Sequence, residues 1–287
     1  MFYVIISVCC SVTVSVFLKL ARRYEISVAH AVVWNYLVCS LLTLLIYRPE
    51  ISVKALGSAP LGIYGLLAVL LPALFIIMGL SVRYTGIVRT DLAQRLSLFI
   101  PLTTAFLLFG ETASYVKIAG IILGFAAIVC TIPWHKNVQK PDKSGVWIYP
   151  LVVFAGIGVV DVFFKQIASF KALPYTGSLF IIFSLAFILS LLVFVGAILL
   201  KKTRFSWVNL FCGVILGLFN FGNILFYLKA HQALPNNPSV VFSAMNIGVI
   251  VAGALTGVFV FKEKLSLLNK AGLLIAVAAI MIIAFAR

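Results

Sequence analysis

An acidic and a basic residue stand four positions apart at the start of a long apolar segment. Asp91 and Arg95 lie in the run from Ile87 to Phe109, which carries no charge after Arg95. Residues four apart share one face of an α-helix, so the two side chains can pair. A guanidinium stays protonated at any accessible pH and can bind a carboxylate or phosphate through two parallel hydrogen bonds. Arg95 is therefore predicted to contact an anionic solute, unless it serves only as the structural partner of Asp91.

Polar side chains recur inside other apolar segments, mostly at spacings of three or four residues. An ionised side chain at the centre of a membrane costs at least about 2.5–3.5 kcal/mol, so embedded polar groups indicate a path for a solute or an ion. Two structural alternatives stay open, because amides and serines also join neighbouring helices and a lysine near a helix end can reach the membrane surface. The predicted substrate-binding residues beside Arg95 are Lys19, Trp34, Asn35, Lys165, Asn220, Asn223, Tyr227, Ser239, Ser243 and Asn246.

Two carboxylates are candidates for carrying a coupling proton or for forming a structural ion pair. Asp91 stands four residues before Arg95, and Asp161 stands four residues before Lys165. Burial favours the neutral acid, whereas a neighbouring cation favours the carboxylate. Because the two effects oppose each other, the spacing leaves both candidates open.

Glu111 and Glu263 stand in turns between apolar segments. A negative charge is favoured near the N-terminus of a helix, so each glutamate is expected to cap the helix that follows it. An acid/base pair between the two is disfavoured, because they are predicted to lie at opposite faces of the membrane.

The chain shows no pattern typical of an enzyme or of a bound cofactor. Its three histidines, His30, His135 and His231, have no ligand spacing, and its five cysteines lie inside apolar segments. The sequence contains neither a phosphate-binding glycine loop of the Walker type nor a nucleophile elbow. We therefore predict no catalytic residues, no cofactor and no metal.

The elements that carry these side chains are predicted to be membrane-spanning helices. Of the 287 residues, 63% are hydrophobic and 10% are charged, against about 45–50% and about 25% in soluble domains. Ten apolar runs come near the roughly 20 residues that cross an acyl core about 30 Å thick, and in lipid each run must satisfy its own backbone hydrogen bonds as a helix. The runs are Phe2 to Leu20, Ser27 to Tyr47, Leu61 to Val82, Ile87 to Phe109, Tyr115 to Ile132, Val146 to Phe164, Pro174 to Leu200, Trp207 to Leu228, Ser239 to Phe261 and Leu267 to Phe285.

The formal net charge of +15 does not indicate a nucleic-acid partner here. The basic residues cluster where apolar runs end, which is typical of proteins that anchor and orient themselves in a membrane. The expected contact of these residues is membrane lipid.

The two halves of the chain repeat each other. The segment from Val14 to Lys19 matches the segment from Val160 to Lys165, and Ala119-Gly120 matches Ala271-Gly272. Five helices is an odd number, so two copies in one chain must have opposite orientations across the bilayer. The predicted organisation is a first five-helix repeat at 1–133, a polar connection at 134–145 and a second five-helix repeat at 146–287.

A Glu-x8-Gly element follows a phenylalanine-containing turn in each half, at Phe109-Gly110-Glu111 and at Phe261-Lys262-Glu263. Together with Pro101, ten residues before Glu111, this pattern resembles the EamA repeat of the drug/metabolite transporter superfamily. The second half departs from the pattern, because the ninth helix has no proline that corresponds to Pro101.

The resemblance implies an all-α integral membrane protein of ten helices, arranged as two inverted repeats in the inner membrane. It implies a secondary active transporter that exports or exchanges a small organic metabolite by alternating access, without a cofactor and without a required oligomer. The embedded cations favour a carboxylate-bearing solute, such as an amino acid or an organic acid, with a proton as a candidate coupling ion. The alternatives are a lipid-phosphate flippase of the same fold and a non-transporting structural membrane subunit.

Two arguments on orientation disagree. Lysine and arginine are more frequent in the connections after the odd-numbered predicted helices, and the positive-inside rule then places both termini outside the cytoplasm. The family resemblance places them inside. The charge distribution favours termini outside.

Overall fold

The described residues of the computed structural model form an all-helical protein. They are residues 1–23, 26–49, 57, 59–112, 114–131, 147–170, 173–201, 205–260, 262 and 266–285. The predicted polar connection at 134–145 lies outside them. The helices are α1 (Phe2–Arg23), α2 (Val28–Tyr47), α3 (Leu61–Thr85), α4 (Ile87–Leu96), α5 (Phe99–Leu107), α6 (Tyr115–Thr131), α7 (Ile148–Ser169), α8 (Tyr175–Leu199), α9 (Trp207–Ala233), α10 (Pro238–Phe259) and α11 (Leu267–Phe285).

Six described helices are long and apolar enough to cross a membrane, namely α2, α3, α7, α8, α9 and α10. Shorter apolar stretches occur in α1, α6 and α11. Large apolar side chains such as Leu45, Leu107 and Phe259 are exposed on the outside of the bundle, where acyl chains and not water would surround them. This is the architecture of a multi-pass membrane protein.

The predicted helix from Ile87 to Phe109 is interrupted. α4 ends at Leu96 and α5 begins at Phe99. Pro101 has no N–H to donate to the carbonyl of Ser97, which accepts from Ile100 at 3.0 Å in a tighter turn. The Ser97 hydroxyl also donates to the carbonyl of Gln94. The prediction of one continuous helix is therefore wrong, whereas α10, which has no proline after its first residue, is unbroken.

The first six helices pack mainly against the last five. α2 contacts α8 and α9, α3 contacts α7 and α8, and α6 contacts α11. α2 and α9 approach each other closely at two glycines of α9 four residues apart. A Cβ on Gly213 would lie 2.5 Å from the carbonyl oxygen of Ala31, and one on Gly217 would lie 2.8 Å from that of Asn35. Small residues at this spacing let two membrane helices approach closely.

Replacing Gly213 with alanine is expected to destabilise the protein by about 1–3 kcal/mol, because the new methyl group meets backbone that cannot move aside without shifting a helix. The measurement is the Tm of the purified protein in detergent. Gly79→Ala is the matched control, since an added Cβ at Gly79 of α3 meets nothing within 4 Å. Equal Tm values for the two variants would contradict the close packing of α2 on α9.

Candidate functional site

A cavity of about 280 Å³ lies between α1, α3, α4, α7, α9 and α10. Its volume is close to the lower end of the range of about 300–1,000 Å³ typical of small-molecule sites. Apolar side chains such as Phe75, Met78 and Phe164 form part of its wall. The polar lining residues are Ser11, Ser15, Asp91, Gln94, Arg95, Asp161, Asn220, Asn223, Tyr227 and Asn246.

The ion pair predicted on α4 is confirmed. Arg95 Nε donates to Asp91 Oδ2 at 2.7 Å, and the two side chains keep 21% and 32% of their surface exposed. Arg95 Nη1 is buried and has no hydrogen-bond partner among the described residues. The guanidinium therefore neutralises Asp91 and still holds a donor with which it could bind an anionic group.

Asp161 supplies a second carboxylate to the cavity. It faces the hydroxyl of Tyr227 and the amide of Asn246, which are neutral groups. Within the described part of the chain no basic side chain forms a salt bridge with it. Asp161 is therefore a candidate to bind a proton or a cationic group of a solute.

Three asparagines give the cavity both donors and acceptors. The Ser7 hydroxyl donates to Asn223 Oδ1 at 2.9 Å, which orients that amide from the side of α1. Asn246 Nδ2 donates to the carbonyl of Phe242 at 3.0 Å. Asn220 is buried within the same wall. Asn220, Asn223 and Tyr227, which were predicted to share one face of a helix, all line the cavity.

Two predicted substrate-binding residues on α2 are not in the cavity lining. Trp34 lies edge-on to the ring of Phe205 at 6.2 Å between centroids. Asn35 is buried beside Gly217 in the contact of α2 with α9. Lys19 lies in α1, but its side chain is outside the described residues.

Lys165, Ser239 and Ser243 are buried near the cavity without lining it. Lys165 Nζ donates to the carbonyl of Pro235 at 2.9 Å. This partner stands in the turn between α9 and α10, so the four-residue spacing from Asp161 does not produce the ion pair that the sequence indicated.

A cluster of three buried residues and one half-buried residue was not anticipated from the sequence. This Glu111 cluster consists of Glu111, Lys117, Asn237 and Ser239. Lys117 Nζ lies 2.7 Å from Glu111 Oε1 and 3.1 Å from Asn237 Oδ1. The backbone N–H of Ser239 donates to Glu111 Oε2 at 2.8 Å, and its hydroxyl donates to Glu111 Oε1.

Glu111 therefore caps α10 and not α6, the helix that follows it, so the capping prediction is wrong for this residue. A cap can come from any part of the chain that packs against a helix N-terminus, and sequence order does not select it. Glu263 lies outside the described residues. Lys117, the single charged residue in the run from Tyr115 to Ile132, was the signal that could have indicated a buried partner.

Comparison with known proteins places the chain in a family. The sequence is 40% identical over 284 residues to a protein of Haemophilus influenzae described as "Uncharacterized protein", a match that covers 96% of this chain and 95% of that one. The chain belongs to the family of this Haemophilus influenzae protein. No family model matches the sequence. A protein of known crystal structure that is 12% identical superposes with a TM-score of 0.71 over 96% of this chain and 95% of its own, which shows a shared fold.

In this member of the family, the cavity has the groups needed to hold a small charged or zwitterionic molecule. Arg95 can bind a negative group, Asp161 can balance a positive one, and the amides can fix the orientation.

Proposed function

We propose that the protein is a secondary active transporter of the EamA type, resident in the inner membrane. It exports or exchanges a small carboxylate-bearing metabolite, such as an amino acid or an organic acid, by alternating access. The observation that carries the proposal is the cavity with a guanidinium, a carboxylate without a basic partner among the described residues and three amides. Charged groups inside a membrane protein are costly and mark solute or ion paths.

Helix contacts support two five-helix repeats, with α4 and α5 together as the fourth span. α1 packs on α9 as α7 packs on α3, and α2 packs on α9 as α8 packs on α3. The pairs α2 with α8, α5 with α10 and α6 with α11 complete the pattern. If each of the first five spans is exchanged with its counterpart among the second five, every one of these contacts becomes another contact of the set or stays the same.

Contacts of single residues show the same correspondence between the two halves of the chain. A Cβ on Gly120 would meet Ile283, and a Cβ on Gly272 would meet Thr131 and its neighbour. The backbone N–H of Lys117 donates to the Ser114 hydroxyl as that of Asn269 donates to the Ser266 hydroxyl. Corresponding residues differ by 152 in number, and repeats with an odd number of spans are inverted relative to each other. These matches support ten spans in two inverted repeats.

Alternating access needs a cavity that is closed at one end. Asp91 and Arg95 remain partly exposed, at 32% and 21% of their side-chain surface. Lys165 and His231, one helical turn beyond Asp161 and Tyr227, are 3% and 0% exposed. These exposures support a cavity that is open on the α4 side and closed toward the Glu111 cluster, which would be one of the two end states of a carrier.

The test is solute flux into liposomes that contain the purified protein. We expect uptake of at least one radiolabelled amino acid or organic acid from a panel, driven by a proton gradient or by exchange against the same unlabelled solute. Liposomes without protein are the control. The absence of flux under every gradient would contradict transport, and movement of a labelled phospholipid between leaflets without solute flux would identify a flippase instead.

A further inference from the structure

The polar faces of three helices continue past the closed end of the cavity. On α7 the cavity residue Asp161 is followed one turn later by Lys165, and on α9 Tyr227 is followed one turn later by His231. On α10 the order is reversed, and Ser243 lies one turn before the cavity residue Asn246. Each helix therefore presents one polar residue inside the cavity and another just beyond it.

Two of the residues beyond the cavity have buried polar atoms without partners. His231 is 0% exposed and Ser243 is 1% exposed. Neither ring nitrogen of His231 nor the Ser243 hydroxyl has a hydrogen-bond partner in the part of the chain that the structure describes. Buried polar groups are nearly always paired, so an unpaired one indicates a place for a polar partner such as water or a ligand.

Aromatic rings fill the space around these groups. The His231 ring lies 4.8 Å from that of Tyr227 and 4.7 Å from that of Phe242, centroid to centroid. Phe164 packs edge-on against Tyr227 at 6.3 Å. The contacts that close this region are therefore aromatic side chains of α7, α9 and α10.

Polar contacts hold the turn between α9 and α10 from two sides. Lys165 of α7 donates to the carbonyl of Pro235 in this turn. Glu111 accepts two hydrogen bonds from Ser239 in the first turn of α10, and Lys117 binds Asn237 just before it. A few charged hydrogen bonds thus connect the start of α10 to the first six helices and to α7.

We propose that Lys165, His231 and Ser243 line the second, closed half of the solute path, and that the bonds from Ser239 to Glu111 are the latch that keeps it closed. This proposal rests on the transport function proposed above. When the latch opens, the ammonium of Lys165 and the imidazole of His231 become donors to the anionic group of the solute, and Ser243 gains a polar partner. The ligand class of this half is therefore a carboxylate.

The test is the reactivity of a cysteine at position 243 toward a membrane-impermeant maleimide, in lipid nanodiscs that expose both faces. The background replaces the five native cysteines with alanine. We expect slow labelling of Ser243→Cys with the native latch. Glu111→Gln should increase the labelling rate about tenfold, because loss of a charged hydrogen bond shifts a two-state equilibrium by that factor.

Val241→Cys is the matched control, because Val241 is equally buried and lies on the opposite face of α10. It should stay unlabelled with either residue at position 111. Equal acceleration at both positions would indicate general loosening and overturn the proposal, as would a Ser243→Cys that stays at the rate of Val241→Cys.

A milder variant covers the case in which Glu111→Gln does not yield folded protein. Ser239→Ala removes one hydroxyl donor and keeps the backbone N–H bond to Glu111, so a smaller acceleration in the same direction is expected. If the protein moves solute while Ser243→Cys stays unreactive, the proposal for the closed half of the solute path is overturned and the transport function is not. If labelling of Ser243→Cys depends on the latch but the protein moves no solute, the transport function is overturned and the opening of the latch is supported.

Discussion

Replacing Arg95 with glutamine is expected to reduce solute flux about a hundredfold, which corresponds to about 2.7 kcal/mol of lost binding free energy at the site. The guanidinium lines the cavity, pairs with Asp91 through Nε and keeps a buried Nη1 with no hydrogen-bond partner among the described residues. Glutamine cannot supply the charge or the two-pronged contact with a carboxylate. Lysine keeps the charge and loses the geometry, so Arg95→Lys should retain a small part of the flux. The measurement is the initial rate of uptake into proteoliposomes.

Two further variants separate recognition from simple charge balance. The double change Arg95→Gln with Asp91→Asn removes both charges, and near-normal flux in that variant would show that Arg95 only neutralises Asp91. Arg83→Gln is the matched control, because Arg83 is exposed, lies beside the ring of Tyr84 and does not line the cavity. Its flux should stay close to that of the native protein.

Replacing Asp161 with asparagine is expected to abolish accumulation driven by a proton gradient while exchange of solute continues. Asp91 is already balanced by Arg95, whereas Asp161 faces neutral groups. A gradient of one pH unit stores about 1.4 kcal/mol per proton and can support about tenfold accumulation. Without a carboxylate to carry the proton, the internal solute concentration should only equal the external one. The measurement is the steady-state ratio of internal to external solute.

Asp161→Glu is the control for this prediction, because it keeps the carboxylate at a slightly different depth and should keep the coupling. Tenfold accumulation by Asp161→Asn would exclude Asp161 as the proton carrier. If Asp161→Asn instead loses both exchange and accumulation, and does so for amino acids only, Asp161 binds the ammonium group of the solute.

Several features of the protein follow from local sequence alone. Apolar runs near 20 residues long are helical in a membrane because a helix satisfies its backbone hydrogen bonds within its own segment. Six of the described helices have the required length and hydropathy. The pairing of Arg95 with Asp91 is also local, since side chains four apart on a helix are neighbours. The shared face of Asn220, Asn223 and Tyr227 follows from the same periodicity.

The same helical periodicity was misleading where a side chain found its partner in a distant part of the chain. Lys165 is four residues from Asp161, yet it binds the carbonyl of Pro235, 70 residues away in the chain. Ser239 and Asn246 share a face of α10, but Ser239 meets Glu111 and Asn246 meets the cavity. One helix face passes through regions with different neighbours, and spacing does not reveal where one region ends.

What only the tertiary structure decided is which faces meet. The sequence by itself determined that the chain forms apolar helices and where polar side chains share a face, because these depend on contacts within one turn of a helix. Tertiary packing joined Glu111 to Ser239 across 128 residues and brought α2 against Gly213 and Gly217 of α9. Such contacts depend on the shapes of two surfaces at once, so no property of either segment alone specifies them.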